Sequence, residues 1–109
     1  MARGLNRGEI WLHTFKPPDK RRPVLVLSRQ EVIGLVDAVI VASITSTRRG
    51  IPSEVAVGID EGLKHDSVVN LDHLNTVDKR LLRQFVGTLG PAAMKRVCRA
   101  LAIATGCAD

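Results

Sequence analysis

The chain has 109 residues, enough for one hydrophobic core and too few for two, so a single domain spanning 1–109 is expected. Sixteen Lys and Arg against eleven Asp and Glu leave a formal charge of +5, which suits acidic partners such as nucleic acid. One Trp, two Phe and no Tyr are too few rings for an aromatic base-stacking platform, and two cysteines without CxxC spacing exclude a disulfide framework or a zinc site.

In chain order, "MARGLNRGEIW" lacks the apolar core of a secretory signal, and Asp37 and Arg99 interrupt the longest apolar stretches. A soluble cytoplasmic protein without a membrane span is expected. "GEIWLHTF" (8–15) alternates Ile10, Leu12 and Thr14 with Trp11, His13 and Phe15, a strand pattern. "KPPDK" forces a short turn, because two adjacent prolines remove two backbone donors. "PVLVLS" (23–28) and "VDAVIVASI" (36–44) are rich in β-branched residues and almost continuously apolar, which predicts strands covered on both faces. Further strands are predicted at 53–58, 67–71 and 83–89, with a turn of helix at 77–82.

The last segment, "PAAMKRVCRALAIATG", has Pro91 suited to a first helical position and Gly106 suited to a C-terminal cap. Helical spacing puts Met94, Val97, Cys98, Leu101, Ala102 and Thr105 on the inward face, and Lys95, Arg96 and Arg99 outward. Cys98 is therefore expected in the core and Cys107 in the tail. Ile103 falls on the charged side, and with the two-faced strands it suggests a second subunit as cover. Five or six short strands without strand–helix alternation favour a mainly β, strongly curved antiparallel barrel with a C-terminal helix.

No Walker loop, GxGxxG, HExxH or GxSxG occurs, so no cofactor and no metal are expected. Two of His13, His65 and His73 could act as base and acid in RNA cleavage, but the sequence brings no pair together. "TSTRRG" (45–50) is more informative: Thr45, Ser46 and Thr47 supply hydroxyls, and Arg48 and Arg49 supply guanidinium groups. A phosphodiester needs neutral donors to its oxygens and bidentate cations as charge grows in the transition state. Lys20, Arg21 and Arg22 offer the same chemistry just before Pro23. Each cluster alone reads first as a solvated turn or strand entrance. If the strands at 23–28 and 36–44 are antiparallel neighbours, however, Arg22 and Thr45 meet at one edge and the two clusters form an anion site.

The chain resembles the MazF/PemK (Kid-like) toxins of bacterial toxin–antitoxin modules. The likeness rests on "RGEIW" (7–11), "RRPVLVLS" (21–28), "VIVASIT" (39–45), "DSVVNLDHLNTVDKRLL" (66–82) and "VGTLG" (86–90), in order. The resemblance implies a small SH3-like barrel, a homodimer, and a metal-independent endoribonuclease that cuts single-stranded RNA at short sequences. It also implies a MazE-like antitoxin whose acidic tail covers the RNA site. By the same resemblance Arg22 and Thr45 are catalytic. The 2′-hydroxyl would attack the phosphate, leaving a 2′,3′-cyclic phosphate and a 5′-hydroxyl.

Lys20, Arg21, Ser46, Thr47, Arg48 and Arg49 are then candidate RNA contacts. Asp72 matches an acidic position of the family, whereas Asn70 stands where Kid-like proteins carry Arg. The first loop is shorter than in many relatives and lacks their His-Glu-Gln segment, so it names no proton-transfer partner. Two other readings are a gyrase-binding toxin of the CcdB type, and a catalytically silent RNA- or antitoxin-binding module.

Overall fold

Alternation of side chains across the pleat lets an almost continuously apolar strand feed two cores at once. The structure, a computed structural model, describes residues 4–14 and 21–108; Phe15, the KPPDK turn and Lys20 lie outside them. Its strands are β1 (Glu9–Thr14), β2 (Arg21–Val26), β3 (Ala38–Thr45), β4 (Glu54–Val57), β5 (Ser67–Asp78) and β6 (Gln84–Thr88). They form one antiparallel sheet in the order β4-β5-β3-β2-β1-β6, curled into a half-barrel. A short helix α1 (Gln30–Ile33) links β2 to β3, and α2 (Pro91–Ala104) closes the chain. The mainly β fold with a C-terminal helix agrees with the sequence expectation.

On one face Ile10, Leu25, Ala42, Ile44 and Val69 are buried against Val97 and Ala100 of α2. On the other, Trp11, Val24, Val26, Val39 and Val41 pack with Val77, Leu82 and Ile33 of α1, while Leu5 and Val36 lie over them. Neighbours in sequence thus enter different cores, as the unbroken apolar runs imply. The second face is covered from within the chain, so β2 and β3 need no second subunit to bury them. Ile103 is half-buried rather than exposed.

Helix α2 starts with Pro91 at its N-terminus, and Gly106 follows its end at φ +76°, a left-handed conformation that glycine adopts without strain. Its inward stripe is turned relative to the sequence reading. Val97 and Ala100 are buried, with Ala93, Met94, Leu101 and Ala104 packed beside them. Small alanines suit this stripe because α2 lies against both β4 and β5. Cys98 is corrected from core to exposed surface, where Arg7 Nη2 lies 3.2 Å from its sulfur. Thr105 is also exposed, and its hydroxyl donates to the Leu101 carbonyl at 2.8 Å.

Strand β5 runs on through "DHLNTVD", well past the predicted end at Leu71. The helical turn expected at 77–82 shrinks to a 3₁₀ turn at Lys79–Leu81, capped by Asp78, whose carboxylate accepts from Arg80 N at 2.9 Å. Opposite β3 the pairing jumps from Ala42–Leu74 to Ser43–Asn70, so Leu71, Asp72 and His73 form a bulge. Leu71 N donates to the Ser53 carbonyl at 3.0 Å, tying the bulge to the segment before β4.

Candidate functional site

Strand pairing sets up the site. β2 and β3 pair Val24 with Ser43, and the same register continued by two residues sets Arg22 opposite Thr45. On the other side of β2, His13 of β1 pairs with Arg22. Period-two alternation puts all three on the face that carries Trp11, Val24 and Ser43 one step further in. The row His13–Arg22–Thr45 therefore stands at the mouth of a packed core. His13 is 7% exposed, and burial pushes its pKa below the usual histidine value.

Two cavities meet at Arg22 and Thr45 in this row. The larger, about 730 Å³, is bordered by Arg21, Arg22, Thr45, Ser46 and Thr47, with Lys64, His65 and Phe85 opposite. The smaller, about 200 Å³, is bordered by Arg22, Ser43, Thr45, Thr47, Arg49, Asn70 and His73. Arg22, Thr45 and Thr47 border both. Thr45 Oγ1 accepts a hydrogen bond from Thr47 N at 3.2 Å, and its own proton can still be donated into a cavity. An exposed guanidinium and hydroxyls converging on one edge match the acceptor oxygens of a phosphodiester.

The walls have structural causes. The 3₁₀ turn Ile59–Glu61 presses on β6 where Gly62, at φ +93°, meets Gly87. A Cβ on Gly87 would run into the Glu61 carbonyl oxygen, so glycine permits the approach that brings Leu63, Lys64 and His65 to the larger cavity. Phe85 is fixed edge-on against Trp11, with ring centroids 5.6 Å apart. The β3–β4 loop is held by Glu54, whose carboxylate accepts from Arg49 N and Gly50 N, both at 3.0 Å.

Of the residues singled out in sequence, Lys20 lies outside the described residues. Arg21 is exposed and donates to Gln84 Oε1 at 2.9 Å. Ser46 and Thr47 reach the larger cavity, and Arg49 reaches the smaller one. Arg48 is exposed and borders neither. Asp72 also borders neither: its carboxylate accepts from the Ser53 hydroxyl, and its N–H donates to Asn70 Oδ1 at 3.0 Å. Sequence reasoning missed Ser43, Lys64 and Phe85 as cavity residues; His65 and His73, considered there only as a possible base and acid, are exposed and border the larger and the smaller cavity respectively. The strand alternation that pairs Val24 with Ser43 was a signal for Ser43; the others depend on a bulge, a glycine contact and an edge strand.

A net basic, curled antiparallel sheet whose edge gathers arginines and hydroxyls between two open cavities offers the donor set that a phosphodiester requires. Residues 6–105 match the family described as PemK-like, MazF-like toxin of type II toxin–antitoxin system, and the chain belongs to that family. It is 36% identical over 104 residues to the probable endoribonuclease MazF2 of Mycobacterium tuberculosis, covering 94% of this chain and 100% of that one. With the probable endoribonuclease MazF5 of the same organism it shares 38% over 103 residues, 93% of each chain. Among solved structures, a mycobacterial endoribonuclease in complex with its cognate antitoxin superposes with a TM-score of 0.85 at 30% identity, covering 96% of this chain and 98% of that one. The M. tuberculosis toxin MazF-mt6 gives 0.83 at 34% identity, covering 90% and 96%.

Proposed function

We propose that this toxin is a metal-independent endoribonuclease that docks the scissile phosphate of single-stranded RNA between Arg22 and Thr45. The observation that carries this reading is that the two residues border both cavities from adjacent strands. The family and the endoribonuclease relatives support the reaction class. In the proposed step the 2′-oxygen attacks phosphorus and the bond to the 5′-oxygen breaks, leaving a 2′,3′-cyclic phosphate and a 5′-hydroxyl. Arg22 offers bidentate donors to the non-bridging oxygens as their charge rises, and the Thr45 hydroxyl adds a neutral donor. Arg21, Ser46, Thr47 and Arg49 hold the flanking backbone, and the strand's sequence is read by the walls around them.

The same basic edge suits the acidic tail of an antitoxin, and the relative solved with its cognate antitoxin supports such a partner. A MazE-like antitoxin would then inhibit by occupying the substrate's place. Exposed apolar side chains on Leu35, Ile40 and Ile59 support the homodimer that the family resemblance implies. No helix among the described residues is long and apolar enough to cross a membrane, and the proposed site of action is messenger RNA in the cytoplasm, with growth arrest as the consequence.

The test is to incubate the purified protein with mixed-sequence single-stranded RNA in EDTA and to identify the new ends. Cuts at a recurring short sequence, with cyclic phosphate on one product and 5′-hydroxyl on the other, are expected. Intact RNA in the presence of folded protein would reject the reading.

A further inference from the structure

The smaller cavity contains a feature that phosphate binding alone does not use. Ser43 is only 3% exposed, and its hydroxyl has no hydrogen-bond partner among the described residues, although it borders the cavity. A buried hydroxyl left unpaired carries a desolvation cost that a partner would relieve. Its position toward a cavity shared with Arg22 and Thr45 marks a place for a polar group of a ligand. His73 borders the same cavity, carried there by the β5 bulge at Leu71–His73. Bulges re-aim side chains beside active sites, and this one interrupts the pairing beside Ser43.

We propose that this cavity seats the attacking ribose, with Ser43 donating to the 2′-oxygen and His73 taking its proton. The inference rests on the ribonuclease reading and supplies the proton acceptor that the short first loop does not. The 2′-O–H proton passes to a ring nitrogen of His73, the 2′-oxygen bonds to phosphorus, and the phosphorus–O5′ bond breaks. The 5′-oxygen takes a proton from solvent, and His73 later returns its own to solvent, so charge and atoms balance. An imidazole suits this step because one ring nitrogen can accept a proton, which a guanidinium group cannot.

The experiment measures single-turnover cleavage of a mixed-sequence single-stranded RNA, RNA affinity and melting temperature. The proteins compared are wild type, Ser43→Ala, His73→Gln and His73→Ala, the last with and without free imidazole. His73 is exposed, so its variants keep the fold. His73→Gln is expected to slow cleavage about 10²- to 10⁴-fold with RNA affinity unchanged. Added imidazole should raise the His73→Ala rate in proportion to its concentration and leave Arg22→Ala unmoved. Ser43→Ala is expected to slow cleavage about tenfold, the effect of one hydrogen bond, without lowering the melting temperature. Wild-type cleavage by His73→Gln, or a His73→Ala loss that imidazole does not touch, would overturn the assignment while the ribonuclease reading stands. A wild-type protein that leaves the RNA intact removes both.

Discussion

Arg22 and Thr45, on adjacent antiparallel strands, border the same two cavities from the end of one cross-strand row. Both sit at the limit of the packed sheet, where Val24 and Ser43 behind them are buried and Arg22 itself is exposed. Substitutions of Arg22 should therefore alter chemistry and spare stability. Lysine keeps the charge but loses the planar fork that can hold two phosphate oxygens. Arg22→Lys is expected to lower the cleavage rate about 10²- to 10³-fold, as for loss of a transition-state donor, with an unchanged melting temperature. A rate within a few-fold of wild type would mean that simple charge suffices.

The position of the basic side chains makes a second expectation quantitative. Each phosphate neutralised by Lys or Arg contributes about 0.7 to the slope of log affinity against log salt for a single strand. Arg21 faces the larger cavity, whereas Arg48 borders neither. Arg21→Ala should lower the slope by about 0.7, and Arg48→Ala should leave it unchanged. Equal effects of both would show that RNA takes a wider path over the loop than the cavities mark.

His13 supplies a pH dependence of stability. Its folded-state pKa is lowered from 6.5 by burial, so as pH falls the unfolded chain takes up a proton before the folded chain does. The resulting stability is fully present above 6.5 and is lost as pH falls below it toward the folded-state value. Melting temperatures at about pH 7.5 and about pH 5.5 should differ more for wild type than for His13→Gln, which carries no titrating ring. Identical pH slopes would exclude His13 as the source.

The Gly62–Gly87 contact is the steric condition for one wall of the larger cavity. Gly87→Ala would push a methyl group into the Glu61 carbonyl, forcing the 3₁₀ turn away from β6. Destabilisation of about 1–3 kcal/mol is expected, as for overpacking, together with weaker RNA binding as Lys64 and His65 move outward. Urea unfolding and RNA titration measure the two effects separately. A stable variant with normal affinity would show that the turn can retreat without harm.

Much of this arrangement was legible because β2 and β3 are unusually uniform. Their β-branched runs imply two-sided burial, and antiparallel pairing of the two brings Arg22 toward Thr45. The helix was legible in extent but not in phase: alanine and cysteine carry little amphipathic contrast, so Ala100 and Ala104 exchanged places with Cys98. The second half of β5 was hidden because its bulge breaks the alternation and its polar residues face solvent or the cavity. A four-residue helix such as α1 carries too few turns to show a period at all.

The most direct measurement is a double-substitution cycle on single-turnover RNA cleavage with wild type, Arg22→Ala, Thr45→Ala and the double variant. If both residues stabilise one phosphate, each single change should cost about 2.7–4 kcal/mol of transition-state stabilisation. The double change should then cost clearly less than the two costs added together. Strict additivity would indicate that the two residues act independently, and near-wild-type cleavage by either single variant would contradict a scissile phosphate held between Arg22 and Thr45.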